Sequence, residues 1–140
     1  MDETDRRILG LLRGNARLPL KTIAAEVGLA RSSARQRIAR LEAEGVIRGY
    51  AARVDAGQAG QIGAMLSIRL RTTPDPQVVA AVTGRSEVAR CWSLSGEVDL
   101  LVEAQADGTD QLNALRDWIS GLDGVAGVST ALVLKRDKDG

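Results

Sequence analysis

Histidine and phenylalanine are absent from this 140-residue chain, cysteine occurs once, and tyrosine and tryptophan together number three. The lack of histidine excludes imidazole metal sites and histidine-based acid–base catalysis. The single Cys91 allows neither an intrachain disulfide nor a cysteine zinc cluster, and it reads as a small buried hydrophobe. With 44% hydrophobic residues and so few aromatics, the core must be packed from Leu, Ile, Val and Ala. No apolar run approaches the roughly 20 residues that span a bilayer. Met1 is followed at once by Asp2, Glu3 and Asp5, unlike the basic and then apolar start of a secretory signal. The expectation is a cytoplasmic chain with no membrane partner, no metal, no cofactor and no catalytic residues.

A formal net charge of +1 conceals an asymmetry. Residues 1–55 hold 11 Lys/Arg against 7 Asp/Glu, whereas residues 56–140 hold 8 against 11. A basic module joined to an acidic one implies different partners for the two. The glycine-punctuated stretch AGQAGQIG, residues 56–63, reads as the join. The expected organisation is therefore a domain over 1–55, a linker over 56–63 and a second domain over 64–140.

In the first module, Ile8, Leu9, Leu11 and Leu12 form an apolar stripe at helical spacing, with Thr4 as N-cap and Gly14-Asn15 as the stop. A second helix starts near Pro19 and buries Leu20, Ile23, Ala24 and Val27. After a Gly28-Leu29 turn, a third runs from Arg31 to Glu44 with Ala34, Ile38 and Leu41 inward, and Gly45 closes it. Val46-Ile47 then opens a short hairpin through Arg48-Gly49 to Tyr50–Val54. Three helices and a wing, with a short turn before a basic helix, are the layout of a winged helix-turn-helix.

The third helix carries Arg31, Arg35, Arg37 and Arg40 with no acid until Glu42. An α-helix fits the major groove, where Arg makes bidentate contacts to guanine and Gln to adenine. Ser32, Arg35, Gln36 and Arg40 are expected on its outer face, and Ser32, Ser33 and the free amides at the helix start suit phosphate oxygens. Lys21, Arg48 and Arg53 flank the helix and can track the DNA backbone. An arginine-rich face can also be merely solvated. The preceding helix, the turn, the wing and the charge asymmetry together favour double-stranded DNA.

The second module reads as βαββαβ: strand 65–71, helix 74–83, strands 88–96 and 99–106, a helix capped by Thr109 or Asp110, and strand 128–134. That order fits a ferredoxin-like antiparallel sheet with two helices on one face, giving an α+β protein overall. The uncovered face calls for symmetric self-association. Trp92 and Trp118 read as packing or interface anchors, and the terminal KRDK as a solvated end.

The string MDETDRRIL followed by NARLPLKTIAAEVGLARSSARQRIARLEAEGVIRGYAARVD resembles the DNA-binding half of the Lrp/AsnC (feast/famine) transcription regulators. Ala30 stands where that family usually has Ser. The resemblance continues through Val88–Asp99, VARCWSLSGEVD, and Gly124–Leu134, GVAGVSTALVL, which are similar to two signatures of the family's RAM-type effector domain. Val98 replaces a usual aromatic and Val128 a usual Thr. The resemblance implies a homodimer, assembling further to a tetramer or octamer, that binds a small effector, commonly an amino acid, between subunits. It makes Gly96, Val98, Asp99 and Thr130 candidate effector contacts. Amides around Gly96 and the Thr130 hydroxyl suit a carboxylate, and an acidic group suits an α-ammonium. Glu97 would favour an amino-bearing ligand, or is a solvated hairpin residue. Asp99 reads equally as a turn-capping carboxylate, and Thr130 as an ordinary strand hydroxyl.

Two other classes are open to a chain of this architecture. Some tetrapyrrole-processing decarboxylases share it but lean on histidine, which is missing here. A ligand-sensing oligomer without DNA binding would not need the basic helix and wing.

Overall fold

The computed structural model describes residues 1–138, which divide into two compact units, one from Met1 to Arg53 and one that begins at Val54. Among the described residues no helix is long and apolar enough to cross a membrane.

The first unit holds three helices: α1 (Glu3–Gly14), α2 (Leu20–Val27) and α3 (Arg31–Ala43). The N-cap of α1 is Asp2 rather than Thr4. Its carboxylate accepts from the Asp5 amide, and the Asp5 carboxylate accepts from the Asp2 amide, each at 2.9 Å. That reciprocal box satisfies two orphan donors; a Thr4 cap would have put Arg7, which has no acceptor, in the reciprocating place. Between α2 and α3 the chain reverses at Gly28, in the left-handed region at φ 70°, where its amide and that of Leu29 return to the carbonyls of Ala25 and Ala24. Ile8, Ile23, Val27 and Leu41 form the buried centre, with Leu9, Leu11, Leu12, Leu18, Leu29, Ile38 and Ile47 packed around it. Leu20, expected inside, is half-buried. The start of α3 at Ala30 carries no side-chain cap.

Segment 46–54 forms no hairpin. Ile47 cannot enter a ladder through its amide, because that amide closes α3 on the Leu41 carbonyl at 3.0 Å. The segment is fastened by side chains instead. The Tyr50 hydroxyl donates to Glu42 at 2.7 Å, and Arg53 donates to the Arg13 carbonyl at 3.1 Å.

The second unit contains β1 (Ile62–Leu70), α4 (Pro76–Thr83), β2 (Val88–Ser93), β3 (Leu100–Ala106), α5 (Thr109–Ser120) and β4 (Val125–Leu132). The strands form one antiparallel sheet in the order β2-β3-β1-β4, the ferredoxin-like arrangement. Several boundaries differ from the sequence pattern for local reasons. Strand β1 begins at Ile62, inside the glycine-rich stretch, because Ile62 already pairs with Ala106. Helix α4 starts at Pro76 because the Asp75 carboxylate accepts from the Val78 amide at 3.1 Å. Gly108, not Thr109 or Asp110, occupies the N-cap of α5. Strand β4 begins at Val125, right after a Gly124 turn at φ 97°, and pairs with Leu70.

Alternation along the strands sets two faces. Ala64, Leu66 and Ile68 of β1 and Leu100, Val102, Ala104 and Ala106 of β3 are buried with Val78 and Val82 of α4 and Leu112, Leu115 and Ile119 of α5. The other face carries the rows Arg90–Glu103–Met65–Ala131 and Trp92–Leu101–Ser67–Ser129, with no helix of this unit over them. Cys91 is half-buried against the core, and burial pushes its thiol pKa upward. Trp118 also packs there, with the Arg85 guanidinium 4.7 Å from its ring centroid.

Candidate nucleic-acid interface and effector region

Helix α3 is anchored by Ala34 and Leu41, both fully buried, and by half-buried Ile38. These lie along one side of a 3.6-residue repeat, so the opposite side must face away from the unit. Ser32, Arg35 and Gln36 are exposed there and Arg31 is exposed at the helix start, and their side chains make no hydrogen bond or ion pair among the described residues. Ser33 is half-buried. Lys21 on α2 and Arg48 beyond α3 are exposed, as is Arg53, whose guanidinium holds the Arg13 carbonyl. The Arg48 and Arg53 side of the unit borders an open groove of about 820 Å³, which Arg13 and Arg17 also line over Leu9, Leu12 and Ile47.

Arg40 is exposed, as expected of it, but its guanidinium is already paired. Its Nη2 lies 2.7 Å from Asp5, and its Nε lies 3.9 Å from Glu44 one turn along. Arg37 sits beside it, 2.9 Å from Asp5 and 2.6 Å from Asp2. The Asp5 side chain is only 1% exposed, and its carboxyl is held at about 2. The Asp2 amide hydrogen bond is the largest cause, opposed by desolvation and helped by Arg37 and Arg40. Asp2 is lowered chiefly by its bond to Arg37, and the Arg37 pKa is raised in turn. The role of Asp2, Asp5 and Arg37 did not emerge from sequence reasoning, although a signal was present. Asp5 stands at i, i+3 and i+7 with Ile8 and Leu12, and a carboxylate on an inward stripe demands a cation.

In the second unit, Gly96 and Glu97 are exposed between β2 and β3, and Val98 and Asp99 are half-buried. Gly96 adopts φ 103°. Asp99 is built into the main chain: its carboxylate accepts from the Leu70 amide at 2.7 Å, its amide donates to the Ile68 carbonyl, and its carbonyl accepts from Leu94. Thr130 is exposed on the edge strand β4, opposite Leu66 and so on the helix-bearing side. It lies about four residues, roughly 13 Å, along from Leu70, and two strand spacings, roughly 10 Å, across from β3. One chain therefore does not bring Thr130 together with the Gly96–Asp99 turn.

Comparison with known proteins finds both halves. The family model for the AsnC-type helix-turn-helix domain matches residues 1–42, and that for the Lrp/AsnC ligand binding domain matches residues 63–140. The chain is 31% identical to the HTH-type transcriptional regulator FL11 of Pyrococcus abyssi, an alignment covering 99% of this chain and 93% of that protein. It is also 31% identical to the HTH-type transcriptional regulator AldR of Mycobacterium tuberculosis, covering 96% and 78% respectively. Among solved structures, the leucine response regulatory protein LrpA of Mycobacterium tuberculosis superposes with a TM-score of 0.87 at 26% identity, over 99% of this chain and 96% of that one. A Neisseria meningitidis transcriptional regulator solved as its L-Met complex superposes with a TM-score of 0.86 at 29% identity, over 99% and 93%.

Proposed function

The chain belongs to the Lrp/AsnC family of HTH-type transcriptional regulators, and we propose that it acts as a homo-oligomer whose grip on duplex DNA is set by an amino-acid effector. The observation that carries the DNA half of this reading is the outer face of α3, where Arg31, Ser32, Arg35 and Gln36 stand exposed and uncommitted. In the proposed complex Arg35 and Gln36 read base edges, while Arg31, Ser32 and Ser33 meet phosphates at the helix start. Lys21, Arg48 and Arg53 follow the backbone to either side. A dimer would place two such helices in successive major grooves, one helical turn of DNA or a multiple apart. Such a regulator works where the DNA is, and for this chain we take that to be the cytoplasm.

The open face of the sheet supports self-association: Trp92, Leu101 and Met65 line it, with Trp92 41% exposed. Burying such a patch symmetrically gives a dimer, and repetition of a second contact gives the tetramer or octamer. The effector half is supported by the ligand-binding family match and by the L-Met complex of the Neisseria relative. The separation of Thr130 from Gly96, Glu97, Val98 and Asp99 within one chain favours a pocket completed by a second copy. A ligand held between copies alters assembly, and through it DNA affinity, by binding one arrangement more tightly than the other.

Footprinting on the DNA upstream of the chain's own gene, with and without each amino acid, tests both halves. The expected result is protection at helical-turn spacing whose extent changes with at least one amino acid. Absence of any protection overturns the DNA reading, and protection indifferent to every amino acid overturns the effector reading.

A further inference from the structure

Two of the recognition helix's arginines are already occupied, and their partners come from the start of α1. At 100° per residue, Arg37 and Arg40 lie about 60° apart on the flank of α3, and Arg40 follows Gln36 by one turn. Gln36 belongs to the face proposed to enter the groove. The Arg40 side chain is 48% exposed, so no steric barrier keeps it from a phosphate; its ion pair with Asp5 does. Arg37 is 28% exposed and is shared between Asp5 and Asp2. Three carboxylates, those of Asp2, Asp5 and Glu44, thus face two guanidiniums at the border of the DNA-reading surface.

The arrangement has a consequence for recognition. A guanidinium on a phosphate adds affinity for every sequence alike, because phosphates carry no sequence information. A carboxylate that occupies the guanidinium removes that sequence-blind contribution while leaving base readers untouched. Building on the DNA-binding reading above, we propose that Asp5, assisted by Asp2, is a specificity-determining residue: it keeps Arg37 and Arg40 off DNA phosphates and leaves recognition to Arg35 and Gln36. Burial of Asp5 makes this hold firm, since a buried carboxylate keeps its partners. The same ion pairs tie α3 to the start of α1. Asp5 touches neither base nor phosphate in this scheme and acts through the arginines it binds.

The test uses the full chain and a mixed-sequence duplex, with binding measured across a salt series. Asp5→Asn is expected to raise affinity for this duplex at low salt and to steepen the log K against log salt slope by about 0.9 for each arginine per protomer that reaches a phosphate. Adding Arg40→Gln to Asp5→Asn should take back Arg40's share of the steepening, about 0.9 per protomer. Glu26→Gln removes one acidic charge from α2 without touching the ion pairs, and should leave the slope near wild type. Should Asp5→Asn fail to fold, Asp2→Asn carries the test, because Asp2 is exposed; it is expected to steepen the slope by a smaller amount. A slope unchanged or shallower in every folded Asp variant overturns the proposal, as does an equal steepening by Glu26→Gln. Either result leaves the DNA-binding reading intact, whereas a wild-type chain that binds no duplex at any salt overturns both.

Discussion

Replacing Arg35 and Gln36 together by alanine should abolish sequence-specific binding and leave the folded oligomer untouched. Both side chains are exposed on the face of α3 opposite Ala34 and Leu41, and neither has an intramolecular partner among the described residues. Substitutions at such positions change stability by no more than about 0.5 kcal/mol, and alanine slightly favours the helix. Each good bidentate pair to a base edge contributes about 1–3 kcal/mol of discrimination. Loss of both therefore weakens operator binding by about 2–6 kcal/mol, a factor of roughly 30 to 10⁴. Binding to mixed-sequence DNA should fall far less, because the phosphate contacts proposed for Lys21, Arg31, Arg48 and Arg53 would remain. The assay is a gel shift on the operator against a mixed-sequence competitor, with thermal unfolding and sedimentation as controls. Operator affinity within about threefold of wild type would refute the assignment of α3 as the reading helix.

Acid should loosen the first unit through Asp5. Its folded pKa, at about 2, lies below the ordinary carboxylate value, so the stability it contributes is complete above about pH 4 and is lost as pH falls toward 2. Circular dichroism during acid titration checks this; Asp5→Asn should flatten that part of the curve, and an unchanged curve would count against the ion-paired Asp5. Asp99→Ala strands the Leu70 amide at the end of β1 and should cost about 1–3 kcal/mol of stability. If thermal unfolding shows no such loss while the amino-acid response disappears, Asp99 serves the ligand and not the sheet.

Much of this molecule was legible in its residues. The 3.6-residue stripes of α1 to α3 and the Gly28 reversal announce a helix-turn-helix, and alternation in MLSIRLR and DLLVEAQA announces strands. What escaped was set by partners distant in sequence. Pattern alone leaves the exposed Arg40 without a partner, because nothing local shows that the buried Asp5, 35 residues earlier, will hold its guanidinium. The hairpin expected at 46–54 depends on an amide that α3 claims for its own closure. Thr4 resembles a cap by residue type, yet only Asp2 has a reciprocating carboxylate three residues on. The proposed effector contacts were named by resemblance, and strand register then set Thr130 apart from the Gly96–Asp99 turn.

The measurement closest to the central claim is methylation protection of guanine N7 along an operator duplex, since that atom lies in the major groove, where the proposed complex puts Arg35. The account predicts two clusters of protected guanines, about 10 base pairs or a multiple apart between centres, that vanish with Arg35→Ala. Stable, saturable operator binding with every guanine N7 still fully reactive would contradict it.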